Sequence, residues 1–313
     1  MKKISVVIPY FNDSKYIRHA LESVLNQTLS VDEVIIIDDN SMDSHDLLTI
    51  VSSFNSDIIK VYRNDINLNG AASRNIGIKK STGDIICLLD ADDFWRADHV
   101  EKSISALKYN KASFVYSNVV ELSLDGREHK RAVTCLSDIT NKMHKNNIVL
   151  MSPPQTNSFV FCKEMLRDVH FDEQLRRHQD YQFFLDVINN EGVKSIYMDE
   201  YTTYYRLRDF KNKPIIDFDS IFKFWHERRQ YLDSSLLNKK IWNIVAGALR
   251  DKRVNAKELV SNKYLSGILH REMMYKIISK VNNDLFSLVF VNVYFYIIID
   301  RCHQLTKKIR SYI

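Results

Sequence analysis

Short apolar runs alternate with helical patterns along the first 120 residues of the chain. Ile4 to Pro9, Val34 to Ile37 and Ile85 to Leu89 have the length and composition of strands that are buried on both faces. Between these runs, apolar residues recur at helical spacing, most clearly from Lys15 to Gln27. The alternation predicts an α/β fold with a mostly parallel central sheet and helical crossovers.

Aspartates follow two of the predicted strands at the point where each strand ends. Asp38 and Asp39 follow one strand, and Asp90, Asp92 and Asp93 follow the strand in IICLLDADD. Open α/β sheets bind ligands at this edge, and crowded carboxylates repel one another unless a cation lies between them. Mg2+ or Mn2+ fits this pattern, because both take oxygen ligands and share them with phosphates. The alternative is that Asp92 or Asp93 caps the following helix.

A stretch of small residues, NGAASRNIGI, lies between the two aspartate groups and puts Arg74 near the start of a predicted helix. A helix N-terminus with a guanidinium is suited to binding phosphate. The alternative is a helix that buries its small face while Arg74 pairs with a neighbouring carboxylate. The chain has neither a P-loop motif nor a GxGxxG fingerprint, which argues against both classes of nucleotide-binding protein.

Four sequence blocks occur in a characteristic order: VVIPYFN at 6–12, IIIDDNSMD at 35–43, NGAASRNIGI at 69–78 and LLDADD at 88–93. In content, order and spacing they resemble the family-2 glycosyltransferases of the GT-A fold. The resemblance covers about residues 3–210. It implies a GT-A nucleotide-sugar-binding fold for that part of the chain, whereas the sequence pattern from Phe218 onward predicts a C-terminal helical region.

The resemblance also implies a binding site for a UDP-sugar donor. Asp39 would recognise the uracil, and the residues from Pro9 to Phe11 would line the nucleoside pocket. Asp92, with Asp90, would hold a divalent metal (Mn2+ or Mg2+) on the diphosphate. The implied donor-binding residues are Pro9, Tyr10, Phe11, Asp39, Arg74, Asp90, Ala91 and Asp92.

The sequence FDEQLRRHQDYQFFLDVI resembles the family's acceptor-side block. Many members have Glu-Asp where this chain has Gln179-Asp180, and the resemblance assigns the catalytic base to Asp180. The residues alone leave open that Asp180 caps the following helix. His178 is expected to be a surface or acceptor-contacting residue. Further along, Arg206 or Arg208 is a candidate to meet the diphosphate leaving group.

Charge is distributed unevenly along the chain. Residues 1–210 hold 25 Lys and Arg against 30 Asp and Glu, whereas residues 211–313 hold 19 against 9. The basic region includes an apolar run at 285–299, shorter than the about 20 residues of a membrane-spanning helix. This run is either a buried helix or a segment that lies in the interface of an anionic membrane. Nucleic acid is not an expected partner, because no recognised motif accompanies the basic residues.

The four cysteines are scattered without a CxxC pair, which argues against a zinc site and a disulfide framework. They suit a reducing cytoplasm. We therefore expect a cytoplasmic protein with peripheral contact to the inner face of the cell membrane through 211–313.

Together these features predict a GT-A catalytic domain at 1–210 and a basic, mostly helical region at 211–313. The catalytic domain would comprise a nucleotide-sugar half at about 1–120 and an acceptor half at about 121–210. The expected reaction is inverting, metal-dependent transfer of a hexosyl or N-acetylhexosaminyl group from a UDP-sugar to a glycan hydroxyl. The glycan would be lipid-linked, as in bacterial surface-polysaccharide or O-antigen assembly. The alternatives are a sugar-1-phosphate nucleotidyltransferase, whose Gly-rich loop is missing, and a non-catalytic nucleotide-sugar-binding or scaffolding subunit.

Overall fold

The computed structural model describes residues 2–139, 144–208, 216–249, 254–255, 259 and 262–268. Contacts within the chain divide it into two compact units, residues 1–240 and 241–313. The first unit contains the whole sheet. The predicted domain boundary at residue 210 lies outside the described residues and stays a prediction, as does the nature of the run at 285–299.

Nine strands of the described residues form one sheet. They are β1 Ile4–Tyr10, β2 Glu33–Asp38, β3 Ile59–Arg63, β4 Ile85–Leu88, β5 Phe94–Trp95, β6 Phe114–Leu122, β7 Glu128–Arg131, β8 Val160–Cys162 and β9 Ser195–Arg206. Their order is β3-β2-β1-β4-β8-β6-β9-β5, and β7 pairs with β6. The first four strands pair in parallel, as do β6 and β9, whereas β5, β7 and β8 are antiparallel to their partners. The predicted α/β class is confirmed, with antiparallel strands in the second half of the sheet.

The first four helices follow the predicted alternation with the strands, and the last three described helices come after the last strand. They are α1 Ser14–Leu25, α2 Ser44–Ser53, α3 Gly70–Lys80, α4 His99–Asn110, α5 Gln179–Asn189, α6 Phe218–Arg228, α7 Ser234–Ala248 and α8 Leu265–Ile268. Across the part of the chain that is described, none has the length and apolar character needed to cross a bilayer.

Helices α1 and α3 cover opposite faces of the central strand β1. Ile8 belongs to the core cluster that includes Leu21 of α1. Val7 points to the other face, where Gly77 of α3 comes so close that an added Cβ would collide with the Val7 side chain. The glycine in NGAASRNIGI therefore allows α3 to lie on the sheet, with Arg74 one turn nearer its start.

Buried phenylalanines attach α5 to the sheet. Phe183 stacks on Phe171 with ring centroids 4.2 Å apart, and it contacts Phe159 and Phe161 at 6.0 and 5.7 Å. All four rings are at most 2% exposed. Burial of each such ring contributes about 1.5–3 kcal/mol, so the start of α5 is held firmly against the sheet.

The polar sequence of 125–150 predicts an irregular loop, but a strand forms near its start. Glu128–Arg131 forms β7 and pairs with β6, from Val119 opposite Arg131 to Leu122 opposite Glu128. The first three residues of β7 are exposed. A strand without an apolar face leaves no alternating pattern in the sequence, which is why the prediction missed it.

Candidate active site

A cleft of about 180 Å3, hereafter the first cleft, lies at the carboxyl ends of β1, β2 and β4. It is lined by Pro9, Tyr10, Phe11, Asp13, Asp39, Gly70, Ser73, Arg74, Asp90, Ala91 and Asp92. All the predicted donor-binding residues therefore lie together, although they come from four separate sequence blocks. Their individual roles stay predictions.

Asp39 lies in the first cleft, but most of its hydrogen-bonding capacity serves the fold. Its Oδ1 accepts from Asn64 Nδ2 and from the Leu68 amide, and its Oδ2 accepts from the Asn69 amide, each at 2.8 Å. The residue is 3% exposed. A carboxylate accepts about four hydrogen bonds, so Asp39 holds the loop before α3 and has little capacity left for a ligand.

The neighbouring Asp38 has a structural role. It accepts from the Ser41 amide at 2.9 Å and from Arg63 Nη1 at 3.0 Å, and it is 1% exposed. Of the two aspartates after β2, only Asp39 lines the first cleft.

Arg74 connects the aspartates of the first cleft to α5. Its Nη2 donates to Asp90 Oδ1 at 2.5 Å, and its Nη1 donates to Gln179 Oε1 at 3.0 Å. The guanidinium also lies over the Phe171 ring, 5.4 Å from its centroid. Arg74 is only 8% exposed, so this geometry is fixed by the surrounding residues. Arg74 therefore pairs with a carboxylate, as the alternative interpretation predicted, and it also lies at the cleft.

Asp92 forms an ion pair with Arg208, which is far from it in the sequence. Arg208 Nε donates to Asp92 Oδ2 at 2.5 Å, and Arg208 Nη2 donates to both oxygens of Asp13 at 2.6 and 2.7 Å. Burial raises the pKa of Asp92, Arg208 lowers it, and Asp90 raises it. Asp13 occupies the N-cap position of α1, and no local signal in the sequence indicates that it faces Arg208.

Arg206, the other candidate for the leaving group, is directed differently. Its Nε donates to the Asp92 carbonyl at 3.1 Å, and its Nη2 lies 3.1 Å from His19 Nδ1. Of the two arginines, only Arg208 contacts carboxylates of the first cleft.

Asp93 is a structural residue and not a helix cap. Its carboxylate accepts from the Arg206 amide and from Asn157 Nδ2, both at 2.9 Å, and it is 2% exposed. Asp98 occupies the N-cap position of α4. The alternative in which Asp92 or Asp93 caps that helix is therefore wrong.

A second cleft of about 200 Å3 adjoins the first. It is lined by Arg74, Asp90, Asp93, Gln155, Thr156, Arg176, Arg177, His178, Gln179, Asp180 and Tyr205. Arg74 and Asp90 line both clefts, so they form a shared wall. The predicted base Asp180 is thus separated from the predicted donor site by two side chains.

Asp180 lies in the first turn of α5, where His178 takes the N-cap position. Burial raises the pKa of Asp180 from 3.8 to about 6. A hydrogen bond from the Tyr181 backbone and the positive charge of Arg74 lower this pKa, but by less than burial raises it. The side chain is half-buried. A carboxylate that is ionised at neutral pH yet still basic is suited to accept a proton.

His178 starts α5 from a left-handed backbone conformation, with φ at 63°. Its ring packs against Tyr181, Phe224 and Trp225 at 4.7, 5.1 and 5.2 Å. Burial and the charges of Lys240 and Arg177 lower its pKa to about 3, so the ring is neutral at physiological pH. His178 lines the second cleft, as an acceptor-contacting residue would, but most of its surroundings are aromatic.

The described residues contain no group of three or more His, Cys, Asp or Glu side chains placed to hold a metal ion. Asp90 and Asp92 nevertheless line one cleft. Mg2+ typically takes one or two carboxylates and completes its shell with substrate phosphates and water. The two aspartates therefore fit a cation that is shared with a diphosphate, and they do not fit a cation held by the protein alone.

A larger cavity of about 960 Å3 lies elsewhere on the same unit, lined by residues that include Lys79, Cys162 and Met165. None of the predicted site residues lines it. The two smaller clefts are the better candidates, because they collect the carboxylates and arginines at the ends of the parallel strands.

The model of Glycosyl transferase family 2 matches residues 5–176. The chain belongs to this family. Its resemblance to the family-2 glycosyltransferases is thereby confirmed, although Gln179, Asp180 and Arg208 lie beyond the matched segment.

Two named relatives illustrate the similarity. Amylovoran biosynthesis glycosyltransferase AmsB of Erwinia amylovora is 32% identical over 200 residues, which are 58% of this chain and 63% of AmsB. UDP-Glc:alpha-D-GlcNAc-diphosphoundecaprenol beta-1,3-glucosyltransferase WfgD of Escherichia coli is 33% identical over 115 residues, 37% of this chain and 45% of WfgD. The chain thus matches less than two thirds of the length of either relative.

The fold of this family-2 chain is also that of solved structures. TarS 1–349 of S. aureus in complex with UDP-GlcNAc has a TM-score of 0.61 at 16% identity, covering 85% of this chain and 82% of the TarS chain. This likeness confirms the predicted GT-A fold.

Proposed function

We propose that this family-2 glycosyltransferase transfers a sugar from a UDP-sugar in the first cleft to an acceptor hydroxyl in the second cleft. The observation that carries the proposal is the wall of Arg74 and Asp90 that the two clefts share. Reacting atoms must come within about 3–3.5 Å of each other, so donor and acceptor sites must adjoin. Asp92 lies on one side of this wall, and the predicted base Asp180 lies on the other.

The first cleft has the chemistry of a nucleotide-sugar site. Phe11 is 48% exposed beside it and offers an aromatic face to a base. Arg74 at its wall and Arg208 beside Asp13 and Asp92 are two guanidiniums that would lie near the diphosphate of a donor bound in this cleft. TarS, which shares the fold, was crystallised with UDP and with UDP-GlcNAc, which supports a UDP-sugar as donor.

Asp90 and Asp92 are the residues that would hold Mn2+ or Mg2+ with the donor. When bound, the metal would neutralise the charge that develops on the departing diphosphate. Arg74 and Arg208 already neutralise one oxygen of each aspartate. The chain therefore orients both carboxylates before a ligand arrives.

Asp180 is the proposed general base. Of the three aspartates in the second cleft, Asp90 is paired with Arg74 and Asp93 with Asn157, whereas Asp180 has no side-chain partner among the described residues. It is therefore the carboxylate that is free to take the proton of an acceptor hydroxyl. A single base across from the donor supports one displacement, which inverts the configuration of the transferred sugar.

The acceptor is proposed to be a glycan on a lipid carrier, in polysaccharide biosynthesis. WfgD is named for transfer to a sugar on diphosphoundecaprenol, and AmsB for amylovoran biosynthesis. The transferred group would be a hexosyl or N-acetylhexosaminyl group.

Peripheral membrane contact through 211–313 follows from the excess of basic residues there. We expect the full-length protein to sediment with anionic vesicles, less so at high salt, and to lose this binding when residues 285–313 are deleted. Failure of the full-length protein to bind such vesicles at low salt would contradict the membrane contact.

The donor site is tested by Asp92→Asn in a thermal-shift titration with UDP, with and without Mn2+. A ligand at 100 times its Kd stabilises a protein by about 2.7 kcal/mol. We expect wild type to gain stability from UDP and Mn2+ together, and Asp92→Asn to lose most of the part that depends on Mn2+. Asp65→Asn, an exposed aspartate outside both clefts, is the matched control. Unchanged metal-dependent stabilisation in Asp92→Asn would overturn the assignment.

A further inference from the structure

Two arginines of the second cleft have no ion-pair partner among the described residues. The side chains of Arg176 and Arg177 are exposed and line the cleft, and neither guanidinium forms an ion pair or hydrogen bond within the described residues. By contrast, Arg74 is bound by Asp90 and Gln179. Unpaired guanidiniums beside a cleft are suited to bidentate binding of an anionic group.

The backbone that carries this arginine pair is held in place. Ser220 Oγ of α6 accepts from the amides of both Arg176 and Arg177, at 2.9 and 3.1 Å, and Ser220 is 6% exposed. On one side the pair follows Leu175, which is fully buried, and on the other it precedes the start of α5. The two side chains are therefore presented from a fixed segment, which lowers the entropic cost of binding a ligand.

The same cleft also contains an unsatisfied polar atom. Gln155 Oε1 is buried and has no hydrogen-bond partner among the described residues. Gln155 and Asp180 both line the cleft, so rotation of the Gln155 amide would let Oε1 accept a hydrogen bond from a sugar hydroxyl. At about 200 Å3 the cleft is smaller than the about 300–1,000 Å3 of drug-sized sites, so it suits a single sugar ring.

We propose that Arg176 and Arg177 bind a phosphate group attached to the same sugar whose hydroxyl lies at Asp180. The inference rests on the proposed function and narrows its acceptor to a sugar phosphate or diphosphate. Because a cleft of about 200 Å3 has room for a single ring, the acceptor sugar would be the one next to the phosphate. The enzyme then adds the second sugar of a chain, and a reaction that transfers a sugar phosphate to the carrier must supply its acceptor.

Binding to the full-length protein saturated with UDP and Mg2+ tests this inference, since UDP then occupies the donor site. The probes are phenylpropyl diphosphate, phenylpropyl phosphate and the uncharged phenylpropanol. Their binding is measured by calorimetry. We expect the phosphorylated probes to bind more tightly than the alcohol. Arg176→Gln and Arg177→Gln should each weaken phosphate binding about tenfold to a hundredfold, the effect of losing a charged hydrogen bond.

Arg167→Gln is the matched control, because Arg167 is exposed in the same segment but lines neither small cleft. It should leave the affinity for the probes unchanged, and all three variants should bind UDP as wild type does. Wild-type protein that binds the diphosphate no better than the alcohol would overturn the inference. An equal loss of affinity for the phosphorylated probes in Arg167→Gln would also overturn it. Arginine-dependent binding of a methyl hexuronoside that is tighter than binding of the phosphates would overturn it too, because it would indicate recognition of a sugar carboxylate.

Two further probes separate the possible sources of the phosphate. Tighter binding of phenoxyundecyl diphosphate than of glucose 1-phosphate supports a carrier-linked acceptor, and the reverse supports a soluble sugar phosphate. Both results support phosphate recognition. If UDP itself fails to bind wild type, the proposed function fails. If UDP binds normally and the phosphates do not, only the role of Arg176 and Arg177 fails.

Discussion

Asp180→Asn should remove turnover and at the same time stabilise the protein. Asparagine keeps the shape of the side chain but cannot accept the proton of the acceptor. Burial raises the pKa of Asp180 from 3.8 to about 6, so ionisation of this group costs stability in the folded state. The stability associated with this group is fully present below pH 3.8 and is lost as the pH rises to about 6.

The magnitude follows from the shift. About two pKa units correspond to about 3 kcal/mol, and partial access of solvent to the half-buried side chain reduces this to about 1–2 kcal/mol. We therefore expect Asp180→Asn to be more stable than wild type by that amount at pH 8 and equal to it near pH 4. For a protein of this size the gain corresponds to a rise in Tm of about 2–6 °C.

Urea unfolding at pH 4, 6 and 8 measures the stability difference, and transfer from a UDP-sugar measures turnover. In wild type, kcat/KM should fall tenfold per pH unit below about 6, because the base becomes protonated. UDP affinity should be the same in both proteins. Asp57→Asn, an exposed aspartate outside both clefts, should change neither stability nor rate.

Two outcomes would refute the reasoning. A stability gain that is equal at pH 4 and pH 8 would show that ionisation of Asp180 is not its cause. Near-normal transfer by Asp180→Asn would show that Asp180 is not the base, whereas wild type that binds UDP-sugars without any transfer would favour a non-catalytic binding subunit.

Three further substitutions follow from the contacts. Arg74→Gln should weaken UDP binding and raise the acceptor KM together, because Arg74 lines both clefts; an effect on one substrate alone would contradict this. Phe171→Ala should destabilise the protein by about 3–5 kcal/mol in urea unfolding, since it removes a ring stacked on Phe183. A loss of stability below about 1 kcal/mol would show that neighbouring side chains move in to fill the space. Asp13→Asn should weaken UDP binding, because it removes one of the two carboxylates that hold Arg208. Unchanged UDP affinity would contradict this.

The sheet was predictable because its strands are buried and its helices amphipathic. β1, β2 and β4 are apolar runs whose residues are nearly all buried, and α1 shows its buried face at Ile17 and Leu21. β7 was not predictable, since a polar strand at the side of the sheet has no such pattern. The long β9 was not predictable over Ser195 to Tyr201, because these residues alternate poorly between buried and exposed positions.

The site was predictable where chemistry is concentrated in short blocks. Asp90 and Asp92 stand at the end of one apolar run, and Arg74 stands in one stretch of small residues. The pairing of Asp13 with Arg208 was not predictable, because it joins residues that are 195 positions apart. The sequence shows the arginine pair before α5 as positive charge. That neither guanidinium has a partner among the described residues is a property of the folded chain.

The distance along the chain between Asp13 and Arg208 also bears on which fragment is a working enzyme. A chain that ends with the matched segment, at residue 176, includes every aspartate of the LLDADD block but neither Asp180 nor Arg208. On a ribosome, Asp13 and Asp92 therefore face each other without their shared cation until β9 and Arg208 have emerged. The minimal active fragment must include Arg208, and expressed fragments that end at 176 and 208 should differ in UDP binding.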